Sequence, residues 1–147
     1  MNRKYPVVVI VDDSKAFRIF SRDAIKRTTK WVRIFEAKDG IEGLQAYQQH
    51  KPDLTLLDLN MPRLDGVYVL KAIMKEDSNA RVIMTTAYDD DQNTINQLFK
   101  LGAYSFVPKP MNRMTLMKTV SDALYNGKIA GTHNQISKSF VLNQNYI

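Results

Sequence analysis

The segment LTLLDLNMPRLDG, residues 54–66, decides how the rest of the chain is interpreted. Its apolar run, 54–57, predicts a short buried strand, and the carboxylate of Asp58 stands where that strand should end. Pro62 and the pair 65–66 then predict a loop that leads into a helix. A reactive side chain at the carboxyl end of a strand is where open α/β sheets bind ligands. Taken alone, the segment is equally compatible with Asp58 as an ordinary turn residue.

Length and composition limit the class of protein. The 147 residues fit one domain with a tail, large enough to bury its own core. The chain has no cysteine, which excludes disulfides and thiolate metal sites. The longest apolar run, 7–11, is too short to cross a bilayer, and no signal peptide is visible at the amino terminus. We therefore expect a soluble cytoplasmic protein.

The formal net charge of +6 raises the question of an anionic partner. The lysines and arginines are scattered along the chain and form no block of like charge. We therefore do not expect this domain to bind nucleic acid directly. A basic face that docks an acidic partner protein fits the charge pattern better.

Five strand-like segments alternate with five helical patterns. The strand-like segments are 7–11, 31–37, 54–57, 81–85 and 105–107. Each is followed by apolar residues at helical spacing, and in the last helix we expect the inner face to carry Met114, Met117, Val120 and Leu124. The alternation predicts an α/β fold, with a parallel sheet covered by helices on both faces.

Polar side chains follow four of the five predicted strands. They are Asp12, Asp13, Asp58, Thr85, Thr86 and Lys109. Because the carboxyl ends of parallel strands meet at one edge of a sheet, we expect these side chains to converge. Three carboxylates repel one another unless a cation lies among them or one is protonated. With oxygen ligands only, a hard cation is implied, and Mg²⁺ fits best.

Four motifs in order now identify the chain as similar to a known family. They are VIVDDS (9–14), DLNMPRLDG (58–66), MTTA (84–87) and GAYSFVPKP (102–110). With them, the chain resembles the receiver domains of response regulators in two-component signalling, close in layout to the single-domain chemotaxis regulators. The resemblance implies a receiver domain over residues 1–126 and a tail or linker over 127–147. The implied fold is flavodoxin-like, a doubly wound (βα)5 with strand order 2-1-3-4-5.

The resemblance also implies a role for each residue of the acidic cluster. Asp58 would be the phosphoacceptor. Asp12 and Asp13 would hold Mg²⁺ together with Asp58, and Asp13 would be the more direct ligand. The main-chain carbonyl of Asn60 would complete the protein's share of the coordination.

The same resemblance implies a switch at the ends of the fourth and fifth strands. Thr86 would hydrogen-bond the phosphoryl group, and Lys109 would pair with another phosphoryl oxygen. Phe106 would be the aromatic switch residue. It lacks the hydroxyl of a tyrosine, which implies a purely steric, packing-based switch. The bond from Lys109 to Pro110 would be cis, and Tyr88 would partly shield the acyl phosphate from water.

The implied function is that of a signalling switch rather than an enzyme acting on other substrates. A histidine kinase or phosphotransfer protein would donate the phosphoryl group, and a downstream effector would bind the face made by the fourth helix, fifth strand and fifth helix. A phosphorylation-linked homodimer is a further expected form. Arg18, on the first helix, is expected to be solvated rather than catalytic.

Two other function classes remain open at this stage. One is a receiver-like interaction module that no longer depends on phosphate. The other is a hydrolase of the haloacid dehalogenase type, although that class has a second acid two residues after the nucleophile, where this chain has Asn60. Nucleotide binding through GxxxxGKS/T or GxGxxG is excluded because neither motif occurs. The sequence does not decide between a free-standing protein and a fragment of a longer regulator.

Overall fold

Strands and helices alternate along the chain in the computed structural model, which describes residues 5–87, 91–109 and 111–126. A π-helical turn, Asp122–Asn126, extends the last helix. The elements are β1 (Val7–Val11), α1 (Lys15–Thr28), β2 (Arg33–Ala37), α2 (Gly40–His50), β3 (Leu54–Asp58), α3 (Gly66–Glu76), β4 (Val82–Ala87), α4 (Gln92–Lys100), β5 (Ser105–Lys109) and α5 (Arg113–Ser121).

The five strands form one parallel sheet in the order β2-β1-β3-β4-β5, which confirms the predicted fold. The strand order reverses at β1, which pairs with β2 on one side and with β3 on the other. In an open α/β sheet, such a reversal leaves a crevice at the carboxyl ends of the two central strands. The last residues of β1 and β3 therefore stand beside this crevice.

Two apolar cores cover the two faces of the sheet. Val9 and Val11 of β1 pack with buried residues of α2, α3 and α4 on one face. Val8 and Ile10 pack with buried residues of α1 and α5 on the other face. All five residues of β1 are buried, as expected for a central parallel strand with helices on both sides.

Every helix from α1 to α5 begins with a polar side chain that accepts a hydrogen bond from an amide of the first turn. These N-caps are Ser14, Asp39, Asp65, Asp91 and Asn112. Such caps satisfy amide groups that have no partner inside the helix. The caps at Ser14 and Asp65 fix where α1 and α3 start, and so keep the preceding acidic residues at the edge of the sheet.

Some predicted boundaries and faces differ from the structure. β2 begins at Arg33 rather than at Trp31, whose side chain is 70% exposed. Met114 was expected on the inner face of α5 but is 68% exposed, because the buried face is set by Leu116 and Val120. Met114 precedes Leu116 by two residues, and two residues correspond to roughly 200° around a helix.

Several predictions fall on residues outside the described part of the chain. They concern Tyr88, the Lys109–Pro110 bond and the tail 127–147. They stay predictions. Within the described ranges, no helix is both long and apolar enough to span a bilayer.

Candidate functional site

Three carboxylates meet at the crevice between β1 and β3. One oxygen from each of Asp12, Asp13 and Asp58 lies within 4.8 Å of the others. Asp12 and Asp58 are buried, whereas Asp13 is exposed. The cluster forms because Val11 and Leu57, the residues just before Asp12 and Asp58, are partners in the pairing of β1 with β3. The predicted convergence of the acids is thus confirmed.

The Asp12 residue is held at both its main chain and its side chain. Its amide donates to the carbonyl of Ala37 at 3.0 Å. Its Oδ1 accepts from the amide of Ser14 at 2.8 Å. Its own carbonyl accepts from Nη1 of Arg18 at 2.7 Å. These contacts come from β2 and α1, so the turn after β1 is fixed by the elements on either side of it.

The ammonium group of Lys109 lies among the carboxylates. Nζ is 2.6 Å from Oδ2 of Asp12 and 3.5 Å from Oδ2 of Asp58. The side chain is only 24% exposed, so Lys109 is not an ordinary surface lysine. It reaches the cluster because Lys109 ends β5 opposite Ala87 of β4, at the same edge of the sheet as the acids.

The surroundings of the Asp58 carboxyl group disfavour its charged form. Its pKa is raised from 3.8 to about 6, first by burial and then by the negative charges of Asp12 and Asp13. The ammonium of Lys109 and the amide of Asn60 act in the opposite direction. That amide donates to Oδ1 of Asp58 at 3.3 Å. Without a further cation, Asp58 therefore holds its proton more tightly than an ordinary aspartate.

The chemistry of this donor set fits a small divalent cation. Three clustered carboxylates carry three negative charges when ionised, and Lys109 supplies one positive charge. The remaining charge of minus two is what a doubly charged ion would neutralise. Hard cations such as Mg²⁺ prefer carboxylate and carbonyl oxygens. The main chain of Asn60 lies beside Asp58, and its carbonyl stays a predicted ligand.

The loop between β3 and α3 is tied back to its surroundings. The amide of Leu59 donates to the carbonyl of Thr85 at 2.8 Å, and the amide of Gly66 donates to the carbonyl of Leu59 at 2.9 Å. Arg63 has a left-handed backbone, with φ of 72°, and its Nη1 donates to Oδ2 of the buried Asp39 at 2.9 Å. The start of α2 thereby anchors the loop that carries Asn60.

The predicted switch residues lie on β4 and β5, with Thr86 in the carboxyl half of β4 and Phe106 near the start of β5. Thr85 is the register partner of Asp58, and Thr86 follows it. Thr86 is fully buried, and its hydroxyl has no hydrogen-bond partner among the described residues. Phe106 is 3% exposed and packs in the core on the side of α3 and α4. Its ring is already in the inward position, and its role as a switch stays a prediction.

Arg18 was expected to be solvated, and this expectation is wrong. Its side chain is 15% exposed and lies between the carbonyl of Asp12 and the carboxylate of Glu36, with Nε 2.9 Å from Oε1. Arg22, one helical turn later, holds the other oxygen of Glu36 at 2.9 Å. Burial alone would raise the pKa of Glu36, but the hydrogen bonds from Arg22 and Arg18 outweigh it and lower the pKa. In the sequence, these two contacts with Glu36 are indicated by a pair of arginines four residues apart on the helix that follows β1.

Replacing Arg18 with alanine is expected to lower the free energy of unfolding by about 1–3 kcal/mol, because a buried carbonyl and Glu36 both lose a charged donor. Arg22→Ala is the control, since Arg22 contacts Glu36 but not Asp12, and the main-chain carbonyl that it does reach, that of Ile34, is at the longer distance of 3.4 Å. Its cost should be smaller. Urea unfolding of both variants measures the difference. Equal losses would show that the contact with Asp12 contributes no more than the longer contact of Arg22 with Ile34.

Comparison with known proteins shows which family this chain resembles. Residues 8–121 match the family model described as the response regulator receiver domain. The chemotaxis protein CheY of Bacillus subtilis is 31% identical over 117 residues, which cover 80% of this chain and 96% of that protein. A protein-glutamate methylesterase/protein-glutamine glutaminase of Nitratidesulfovibrio vulgaris is 33% identical, but the match spans only 30% of its length.

A solved structure shows the same likeness in three dimensions. It is the complex of CheX and CheY with BeF3 and Mg+2 from Borrelia burgdorferi, with a TM-score of 0.70 and 34% identity. The match covers 78% of this chain and 85% of that one. Since the family match extends over most of the sequence, the chain belongs to the response regulator receiver domain family.

Proposed function

We propose that this protein accepts a phosphoryl group on Asp58 from a histidine kinase or a phosphotransfer protein. The observation that carries the proposal is the surroundings of Asp58, a buried carboxylate with the ammonium of Lys109 at 3.5 Å and two further acids beside it. An oxygen of Asp58 would attack phosphorus while the bond from phosphorus to the donor's histidine nitrogen breaks. The electron pair of that bond leaves with the histidine.

We infer that Asp12, Asp13 and Asp58 hold Mg²⁺ with the main-chain carbonyl of Asn60. When bound, the ion would neutralise negative charge on the phosphoryl oxygens, which is most of what phosphoryl transfer requires. Asp13 is exposed and suited to direct ligation, whereas both oxygens of Asp12 already have partners. Lys109 would neutralise a further phosphoryl oxygen. The Borrelia complex contains Mg+2, which supports the choice of ion.

Phosphorylation would act by shifting the equilibrium between two conformations of the protein. The buried hydroxyl of Thr86 lacks a partner among the described residues, which suits it to donate to a phosphoryl oxygen. This bond would favour one of two arrangements of β4, α4 and β5 over the other. A shift from 1:99 to 99:1 requires roughly 5.5 kcal/mol of differential binding. The Thr86 hydrogen bond and the Lys109 ion pair would supply much of it.

The output would be carried by protein contacts. We expect a downstream effector to bind the surface formed by α4, β5 and α5, since Phe106 belongs to β5 and Thr86 is paired with that strand at Pro108. A homodimer that forms on phosphorylation would depend on the same conformational shift. Receiver domains are signalling switches, and transfer to and hydrolysis from Asp58 would be the only reactions catalysed. We place these events in the cytoplasm.

Intact-mass measurement after incubation with magnesium and acetyl phosphate tests the proposal. The wild type should gain one phosphoryl group, and Asp58→Asn should gain none. Asp65→Asn is the matched control, because it makes the same chemical change in the same segment and asparagine caps a helix as well as aspartate. It should be phosphorylated as the wild type is. No gain in the wild type, even with a cognate histidine kinase, would favour the phosphate-independent module.

A further inference from the structure

The ammonium of Lys109 lies over the face of an aromatic ring. Its Nζ is 4.2 Å from the centroid of the Phe17 ring, in addition to its contacts with Asp12 and Asp58. Phe17 belongs to the first turn of α1 and is half-buried, packed against the core on the α1 and α5 side. It also contacts Phe20, at 6.2 Å between ring centroids.

The ammonium group of a lysine stays in one position only if contacts hold its side chain there. Its four-carbon side chain is flexible, and charge stabilisation in phosphoryl transfer depends on groups that are positioned in advance. The negative face of an aromatic ring attracts an ammonium group, more strongly where water is excluded. The 24% exposure of the Lys109 side chain indicates that much of the water is excluded here.

The contacts of Lys109 with Asp12 and with Phe17 differ in one respect. Oδ2 of Asp12 lies 2.6 Å from Nζ of Lys109, and Asp12 is also one of the three clustered carboxylates. Any cation that draws on Asp12 weakens its attraction for Lys109. Phe17 is not one of the clustered carboxylates, so a cation bound by them would not compete with Lys109 for its ring. The ring contact is therefore the one that persists when the charges in the cluster change.

We propose that Phe17 is a positioning residue that holds Lys109 beside Asp58 for phosphoryl transfer. This role rests on the function proposed above. Phe17 acts through Lys109 and does not touch the reacting atoms. Phe17→Leu keeps an apolar side chain without a ring and should lower the rate of phosphorylation about three- to tenfold. Phe17→Tyr keeps the ring face and should restore the rate.

The first test measures the contact itself in the metal-free, unphosphorylated protein. In carbon–proton NMR spectra, the methylene protons next to Nζ of Lys109 should be shifted upfield by the ring current of Phe17. The signal is assigned by its disappearance in Lys109→Met. The upfield shift should be lost in Phe17→Leu and kept in Phe20→Leu, which alters the neighbouring ring of the same helix. An unchanged shift in Phe17→Leu would overturn the proposal.

The second test asks whether Phe17 acts through Lys109. Rates of phosphorylation by acetyl phosphate are compared for the wild type, Phe17→Leu, Lys109→Met and the double variant. The effect of Phe17→Leu should vanish in the Lys109→Met background. An equal fold-change in both backgrounds would overturn this role alone, because it would mean a purely structural contribution. Absence of phosphorylation in the wild type would overturn the proposed function, and this role with it.

Discussion

Gly66→Ala is expected to lower the free energy of unfolding by about 3 kcal/mol or more, at the upper end of what overpacking costs. A β-carbon at this position would lie 2.3 Å from the main-chain oxygen of Asp58 and 2.7 Å from Cα of Leu59. Both atoms belong to the backbone at the end of β3, so neither can rotate away as the end of a side chain would. Relief requires α3 to move away from the strand that carries the acceptor.

The change at Gly66 should therefore affect the site as well as the fold. Urea unfolding measures the loss of stability, and intact mass with acetyl phosphate measures acceptance at Asp58 in whatever fraction folds. Tyr68→Ala is the control, because it places an alanine two residues further along α3, where the side chain is 56% exposed. Its cost should be under about 1 kcal/mol. A Gly66→Ala variant as stable as the wild type would contradict the importance of this close approach.

The sheet and the acidic cluster could be predicted because both depend on short-range patterns. The β-branched run 7–11 and the apolar run 54–57 mark buried strands by composition alone. Parallel strands connected by helices place all their carboxyl ends on one side. Once the strands were assigned, the convergence of Asp12, Asp13 and Asp58 followed from topology without any knowledge of side-chain positions.

Long-range side-chain contacts could not be predicted in the same way. The bond between Arg63 and Asp39 joins residues 24 apart in sequence, and that between Arg18 and Glu36 joins residues 18 apart. Such pairs depend on how each helix is rotated against the sheet, which periodicity fixes only roughly. The exposure of Met114 has the same origin. The sequence predicts that the pair 65–66 leads into a helix, but the close contact of Gly66 with the end of β3 arises only when the loop closes.

Asp58→Asn is expected to stabilise the metal-free protein by about 1–3 kcal/mol at neutral pH, although it should abolish phosphorylation. The buried acids repel one another, and the pKa of Asp58 is raised from 3.8 to about 6 as a result of burial and of Asp12. Asparagine keeps the shape of the side chain and an oxygen that can accept from the amide of Asn60. It removes one of the clustered negative charges.

The pH dependence of this effect has a definite sign. In the folded state Asp58 binds its proton below about pH 6, and in the unfolded state only below about pH 3.8. The folded state therefore binds more protons between these values, and its stability falls as pH rises through that window. Relative to Asp58→Asn, the wild type should be fully stable below about pH 4, lose stability from pH 4 to 6, and remain at a constant deficit above about pH 6.

Magnesium should reverse the order of stability at neutral pH. A ligand that binds only the folded state stabilises it in proportion to the logarithm of its concentration above the dissociation constant. The wild type offers three carboxylates and Asp58→Asn offers two, so the wild type should gain more from added Mg²⁺.

Thermal or urea unfolding with and without magnesium, at pH 4.5 and pH 7.5, measures both effects. The control Asp65→Asn should follow the wild type throughout, because it removes an aspartate outside the cluster. A wild type that is more stable than Asp58→Asn at pH 7.5 without metal would show that Lys109 already neutralises the acids, and that the site does not require a cation.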